Sequence, residues 1–249
     1  MRKRLCLALF VMLALGAVTA AAEDFWQKKK FSEWTPKEVQ KMLKDSPWAR
    51  PVEIRLDVMS GARMSGGRRR GGGGGSLGDA SMGAGSMGGE QGGPGSGGGM
   101  AMPESIPTVT AYVRWRTALP VKQAYIRTRF GDEAATSPEA AKLLASRETH
   151  YIIEIAGLPP STMRVNPAQL KAAAQLRIKG KPPIQAVDIK AGREQNLINL
   201  YLIFPRGEEG APAITLEDKE VEVFLRTGPL DIRRKFRLKD MVFEGNLEV

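Results

Sequence analysis

The chain has 249 residues, a formal net charge of +10, one cysteine and one histidine. Cys6 falls in an N-terminal export segment, so the chain beyond it has no disulfide, thiolate nucleophile or cysteine metal site. A basic chain invites a nucleic-acid reading, but Arg2, Lys3 and Arg4 leave with the export segment, taking +10 to +7, and residues 60–102 hold four Arg against Asp79 and Glu90, leaving +5 on the remainder. Charge this modest on an exported chain argues against nucleic acid and towards anionic lipid, lipopolysaccharide or cell-wall polymer, if it is used at all.

Residues 1–22 read as a signal peptide: a basic start, an apolar run from Leu5 to Ala17, and small residues suited to cleavage after Ala20 or Ala22. The apolar run is too short for a comfortable membrane span, and no later stretch approaches spanning length. The expected location is periplasmic or extracellular.

The folded chain opens on a tightly specified helix. Thr35 is the N-cap, Pro36 the first helical residue and Glu38 the partner that completes a capping box. Trp34 and Val39 are placed as a hydrophobic staple; Val39, Met42 and Leu43 share one face; Pro47 ends the helix near Asp45. Trp34 and Trp48 bracket the element. They read as core anchors that lock the helix onto a sheet, against the sharper reading of an aromatic ligand cradle.

Val52 to Met59 and Thr108 to Arg116 each alternate apolar and polar residues, as half-buried strands do. They are expected to be neighbours in one sheet, with residues 60–102, dominated by Gly, inserted at their turn as a disordered tract. That tract produces chance motifs. Gly74 to Gly78 matches a nucleophile elbow and Gly83 to Gly88 a dinucleotide fingerprint, but neither has a strand, turn and helix around it. Met64, Met82, Met87, Met100 and Met102 are soft thioethers that suit Cu(I), yet their spacing is irregular and no His or Cys accompanies them. No metal or cofactor site is assigned.

Further along, helices are predicted from Pro120 to Phe130 with Gly131 as the stop, from Pro138 after Ser137, and from Pro167 to Leu176 with Asn166 and Gln169 as a capping box. Strand patterns cover Tyr151 to Ala156, Ile184 to Ile189, Ile198 to Phe204, Glu220 to Thr227, Asp231 to Leu238 and Leu247 to Val249. Strands outnumber helices and no βαβ alternation appears. The fold class is therefore α+β: a mainly antiparallel sheet or sandwich with several short helices packed on it. Its pieces are residues 23–59 and 103–249 of one domain, interrupted by the insertion.

Arg233, Lys235, Arg237 and Lys239 alternate down one strand face and suggest a polyanion stripe. A hairpin turning at Thr227 to Leu230, however, sets Glu222 against Lys235, Glu220 against Arg237, Leu225 against Ile232 and Val221 against Phe236. Pairing of that kind neutralises much of the stripe.

Acid–base chemistry has few footholds. His150 stands alone at a strand edge, and the adjacent pairs Asp132–Glu133 and Glu208–Glu209 sit in loops. Asp231 and Asp240 flank the basic strand, where charge balance accounts for them. No catalytic, cofactor-binding or metal residue is assigned. The expected role is a non-catalytic interaction or structural one in the cell envelope, with another envelope protein or an anionic envelope polymer as partner. Two alternatives remain: an envelope hydrolase or modifying enzyme using carboxylates with His150, and a polyanion or anionic-membrane binding protein.

The segments W-T-P-K-E-V-Q-K-M-L-K-D-S-P-W-A (Trp34 to Ala49) and K-F-R-L-K-D-M-V-F (Lys235 to Phe243) resemble a group of uncharacterised exported bacterial proteins. The resemblance covers the two ends of the chain. It implies export and a shared fold, and it carries no activity and no functional residues.

Overall fold

A single helical turn, α1 (Phe25–Lys28), precedes α2 (Pro36–Lys44). The computed structural model describes residues 24–55, 108–208, 211–228 and 230–249. In α2 the capping box is complete: the Glu38 N–H donates to Thr35 Oγ1 at 3.3 Å and the Thr35 N–H donates to Glu38 Oε2 at 2.8 Å. Val39, Met42 and Leu43 are buried and Asp45 closes the helix. Trp34 and Trp48 are 1% and 0% exposed, which places both in the core and leaves no cradle between them. Trp48 meets Trp26 and Phe243 edge to face, the geometry aromatic quadrupoles favour.

The remaining elements are, in order, β1 (Ala49–Arg55), β2 (Thr108–Trp115), α3 (Leu119–Phe130), α4 (Pro138–Ala145), β3 (His150–Leu158), α5 (Pro167–Ala173), β4 (Ala174–Ile178), β5 (Ile184–Gln185), β6 (Asp188–Glu194) and β7 (Leu197–Pro205). After them come the short pair β8 (Gly207–Glu208) and β9 (Ala211–Pro212), the long hairpin β10 (Glu220–Thr227) and β11 (Leu230–Arg237), and a closing pair β12 (Val242–Phe243) and β13 (Asn246–Leu247). All pairings are antiparallel. One sheet has the order β1-β2-β3-β7-β6 and a second the order β11-β10-β4-β5. The α+β class, with antiparallel sheets and short helices, is as expected.

The two sheets share one core. Ala111, Val113 and Trp115 of β2, Tyr151, Ile153 and Ile155 of β3, and Leu200, Leu202 and Phe204 of β7 turn to the same face and are fully buried. From the second sheet come Val221, Val223, Leu225, Ile232 and Phe236. Trp115 touches Phe236 edge to face across the interface. At one margin the Arg234 Nε donates to the Pro51 carbonyl, tying β11 to β1. At the other the chain itself crosses: the Ala186 N–H donates to Ala174 O and the next residue, Val187, donates to Ile203 O. The predicted strand from Ile184 to Ile189 is therefore two strands, because this stretch changes sheets midway.

β1 and β2 are hydrogen-bonded neighbours, with Arg55 opposite Thr108. Val52 and Ile54 face the core and Glu53 and Arg55 are exposed, as predicted; residues 56–59 of that strand pattern, the signal peptide and the glycine-rich tract lie outside the described residues. The β10–β11 register is the one charge and apolar pairing demanded, with Glu222 opposite Lys235 and Val221 opposite Phe236.

Other expectations need correction. The helix from Pro167 ends at Ala173, and Ala174 to Ile178 form β4 beside β10, because Ala174, Leu176 and Ile178 are wanted in the core. Asn166 caps that helix alone, accepting from the Ala168 N–H, without a capping box through Gln169. Leu238 begins a 3-10 turn in place of ending β11, and the last strand is Asn246–Leu247, ending before Val249. Among the described residues, no helix is long and apolar enough to cross a membrane.

Candidate functional site

The outer face of the five-stranded sheet carries the site. Cross-strand register sets Arg114 of β2 opposite Glu154 of β3, Glu154 opposite Tyr201 of β7, and Tyr201 opposite Lys190 of β6. A polar row thus runs over four strands. Beside it lies an apolar row, Ile152 opposite Ile203. Gly192 on the edge strand leaves room for the Tyr201 ring: a Cβ there would sit 3.3 Å from Tyr201 Cε2.

Helix α3 crosses this face and makes one wall. Lys122, Tyr125 and Ile126 lie at helical spacing on one side of it, so all three reach the same groove. Leu143 near the end of α4, Ser146 and Glu148 just after it, and Arg116 and Thr117 after β2 complete the lining. The cleft they enclose measures about 320 Å³.

Under one end of the cleft is a closed ionic cluster. Glu154 is 1% exposed and Arg114 9%. Arg114 Nη1 lies 3.5 Å from Glu154 Oε2 and donates to the Tyr125 hydroxyl at 2.8 Å, while Arg114 Nε donates to the Leu43 carbonyl at 2.6 Å. The Tyr125 hydroxyl donates to Glu154 in a short hydrogen bond. Burial first, then the Glu154 charge, pushes the Tyr125 phenol far above its ordinary range, so it stays a neutral donor. Burial also raises Tyr201, with the Glu154 charge adding to it. Arg114 and Tyr125 thus both hold Glu154 Oε2, and the pair keeps that buried charge compensated.

The cations above it differ. Lys122 pairs with Glu148 at 3.2 Å and donates to Ser146 O at 2.7 Å. Arg116 stacks on the Tyr125 ring, its Cζ 3.7 Å from the centroid, and among the described residues neither Arg116 nor Lys190 has a carboxylate partner. Thr117 is 7% exposed, and its hydroxyl has no hydrogen-bond partner among the described residues.

The residues singled out from sequence lie elsewhere. His150 begins β3, its Nδ1 2.8 Å from Thr149 Oγ1, and four residues of extended chain, roughly 13 Å, separate it from Glu154. Asp132 pairs with Arg127, Asp231 with Arg226 and Arg233, and Asp240 with Arg237. Glu133 falls in the 3-10 turn after α3 and Glu208 on the exposed β8; Glu209 lies outside the described residues. On the basic hairpin Lys235 reaches diagonally to Glu220 at 2.7 Å, so the stripe is largely paired, though by a neighbour of the residue directly opposite. Among the described residues no group of three or more His, Cys, Asp or Glu is placed to hold a metal.

Sequence reading missed Glu154, and a signal was there. It is the one charged residue inside the apolar run Y-I-I-E-I-A, and a charge in a largely buried strand needs a partner. No protein-family model, curated protein or solved structure matches the chain.

Proposed function

We propose that the chain is an exported cell-envelope protein whose role is to bind a partner without chemical turnover, and that the cleft over the Arg114–Glu154–Tyr201–Lys190 row receives an anionic group of that partner. One contrast carries the reading. The buried carboxylate beneath the cleft is held through its Oε2 by Arg114 and Tyr125, while two cations on its walls, Arg116 and Lys190, have no carboxylate counterpart among the described residues. Unopposed cations beside a low-dielectric wall attract an anion, whereas an engaged carboxylate is poorly placed to move a proton. The leader-like residues 1–22 support export. The hydrolase alternative has no support from His150, which no carboxylate contacts among the described residues.

The only cysteine, Cys6, is in the leader, so residues 23–249 accept a single engineered thiol cleanly. Leu143→Cys on the cleft wall and Leu216→Cys away from it, each carrying a photoreactive group, are compared in envelope preparations. An adduct specific to Leu143→Cys and lost with Arg116→Gln/Lys190→Gln supports the proposal. Equal adducts from both sites, or none, sink it.

A further inference from the structure

Resting on that reading, we infer that the cleft takes a compact amphipathic acid, with an apolar body against Ile152, Ile203 and Ile126 and a single carboxylate on Arg116, while Lys190 faces it from the other side of that floor. The two halves of the cleft dictate the two halves of the ligand. Ile152 and Ile203 are direct cross-strand partners and only half-buried, so they leave part of an apolar floor open to the cleft. Ile126 is 4% exposed at the wall, and Leu143 is one of the few large apolar side chains left open to solvent, at 39%. A purely polar anion, such as a sugar acid, leaves that floor wet. A neutral alkyl chain leaves the cations unanswered.

The head end is Arg116 with Thr117, and a second cation faces them across the floor. Arg116 packs over the Tyr125 ring, Cζ 3.7 Å from its centroid, and has no carboxylate partner among the described residues, so its N–H groups suit a planar two-oxygen acceptor. Lys190 is an exposed point charge on the edge strand β6, on the far side of the Ile152–Ile203 pair from Arg116, and adds attraction for an anion from there. Thr117 adds a buried hydroxyl with no partner among the described residues, an independent sign that the cleft end is built to meet a polar atom. The remaining cation, Lys122, is already occupied by Glu148, so a carboxylate needs no further neutralising group. At about 320 Å³ the space is at the small end for ligand sites, which suits a short acyl or aromatic acid and excludes a long lipid tail.

The test is calorimetric titration of residues 23–249 with octanoate, octanol, octyl phosphate and glucuronate. Octanoate is expected to bind, with octanol and glucuronate each weaker by about tenfold or more, the worth of a charge-assisted hydrogen bond or of the buried chain. Arg116→Gln and Thr117→Val should each weaken octanoate without weakening octanol. Because Arg116 also packs on Tyr125, Lys190→Gln on the exposed edge serves as the variant whose fold is safe, and it too should weaken octanoate selectively. Equal affinity for octanoate and octanol overturns the head-group assignment, and glucuronate binding as tightly as octanoate overturns the apolar floor. Octyl phosphate binding in place of octanoate overturns the carboxylate. No octanoate binding, with the Leu143→Cys adduct still formed, overturns the ligand class alone; loss of the adduct as well removes the binding role beneath it.

Discussion

The indole N–H of Trp48 donates to the main-chain carbonyl of Glu248 at 2.9 Å, joining residues 200 apart in sequence. The same Glu248 turns its carboxylate to the first turn of α3, where Oε2 accepts from the Leu119 N–H at 2.9 Å. Ala118, the N-cap of α3, has no side chain to do this, so the far end of the chain caps the helix. One residue thus ties the opening helix, the closing strand pair and the helix that walls the cleft.

Removing that carboxylate has a defined cost. Glu248→Ala should lower stability by about 1 kcal/mol, the usual worth of a helix cap with its favourable dipole interaction. Glu248→Gln keeps an acceptor and should lose less. Thermal melting of both variants checks the order; equal melting of Ala, Gln and parent proteins would refute it.

The opening tryptophans are structural. Trp34→Ala or Trp48→Ala should each cost about 3–5 kcal/mol, the range for emptying a large aromatic site that cannot collapse. Denaturant unfolding measures it. A double variant that melts like the parent and loses only partner binding would return these rings to a ligand role.

The Arg114–Glu154 pair should be expensive to break and cheap to replace. Arg114→Met alone strands a buried carboxylate and should destabilise by about 3–5 kcal/mol, while Arg114→Met with Glu154→Leu should recover most of the loss. A double-mutant cycle by urea unfolding reads the coupling. Additive losses would show that the two side chains act independently.

Acid should act through the capping box. Lys29 first, then the Thr35 N–H, holds the Glu38 carboxyl down at about 2, against an ordinary value of 4.5. Its folded-state pKa lies below the unfolded one, so its contribution is present above about pH 4.5 and lost as pH falls towards 2. The pair lies at the surface, with the Lys29 side chain 45% exposed and that of Glu38 19%, so salt should shrink the effect. Glu38→Gln should flatten this part of the stability profile between those limits, measured as melting temperature against pH at two salt concentrations.

The long segment between β1 and β2 should be dispensable for folding. Arg55 and Thr108 are already paired, so the two ends leave the sheet side by side, and lengthening such a loop costs only roughly 2 kcal/mol of closure entropy. A chain lacking residues 60–102 should melt cooperatively at or above the parent temperature. Loss of cooperativity in circular dichroism melting would count against it.

Local patterning was enough for the parts of this protein that short-range physics controls. The Thr35–Glu38 cap, the Ser137 and Gly131 helix limits, and the β10–β11 register follow from neighbours a few residues apart, and each is legible in the residues themselves. The failures fall where distant packing overrode local preference. Ala174 to Leu176 continue a good helical pattern, yet β10 offered them a sheet edge and a core; Ala186 and Val187 look like mid-strand residues, yet they carry the chain from one sheet to the other. The candidate site belongs wholly to this second kind. Arg114, Glu154, Tyr201 and Lys190 come from four strands whose order no local pattern encodes, and Tyr125 reaches them only because α3 lies across that face. A lone charge in an apolar strand announces that a partner must exist; only the tertiary structure decides which residue it is, because the energy of burying that charge depends on groups brought together from across the chain.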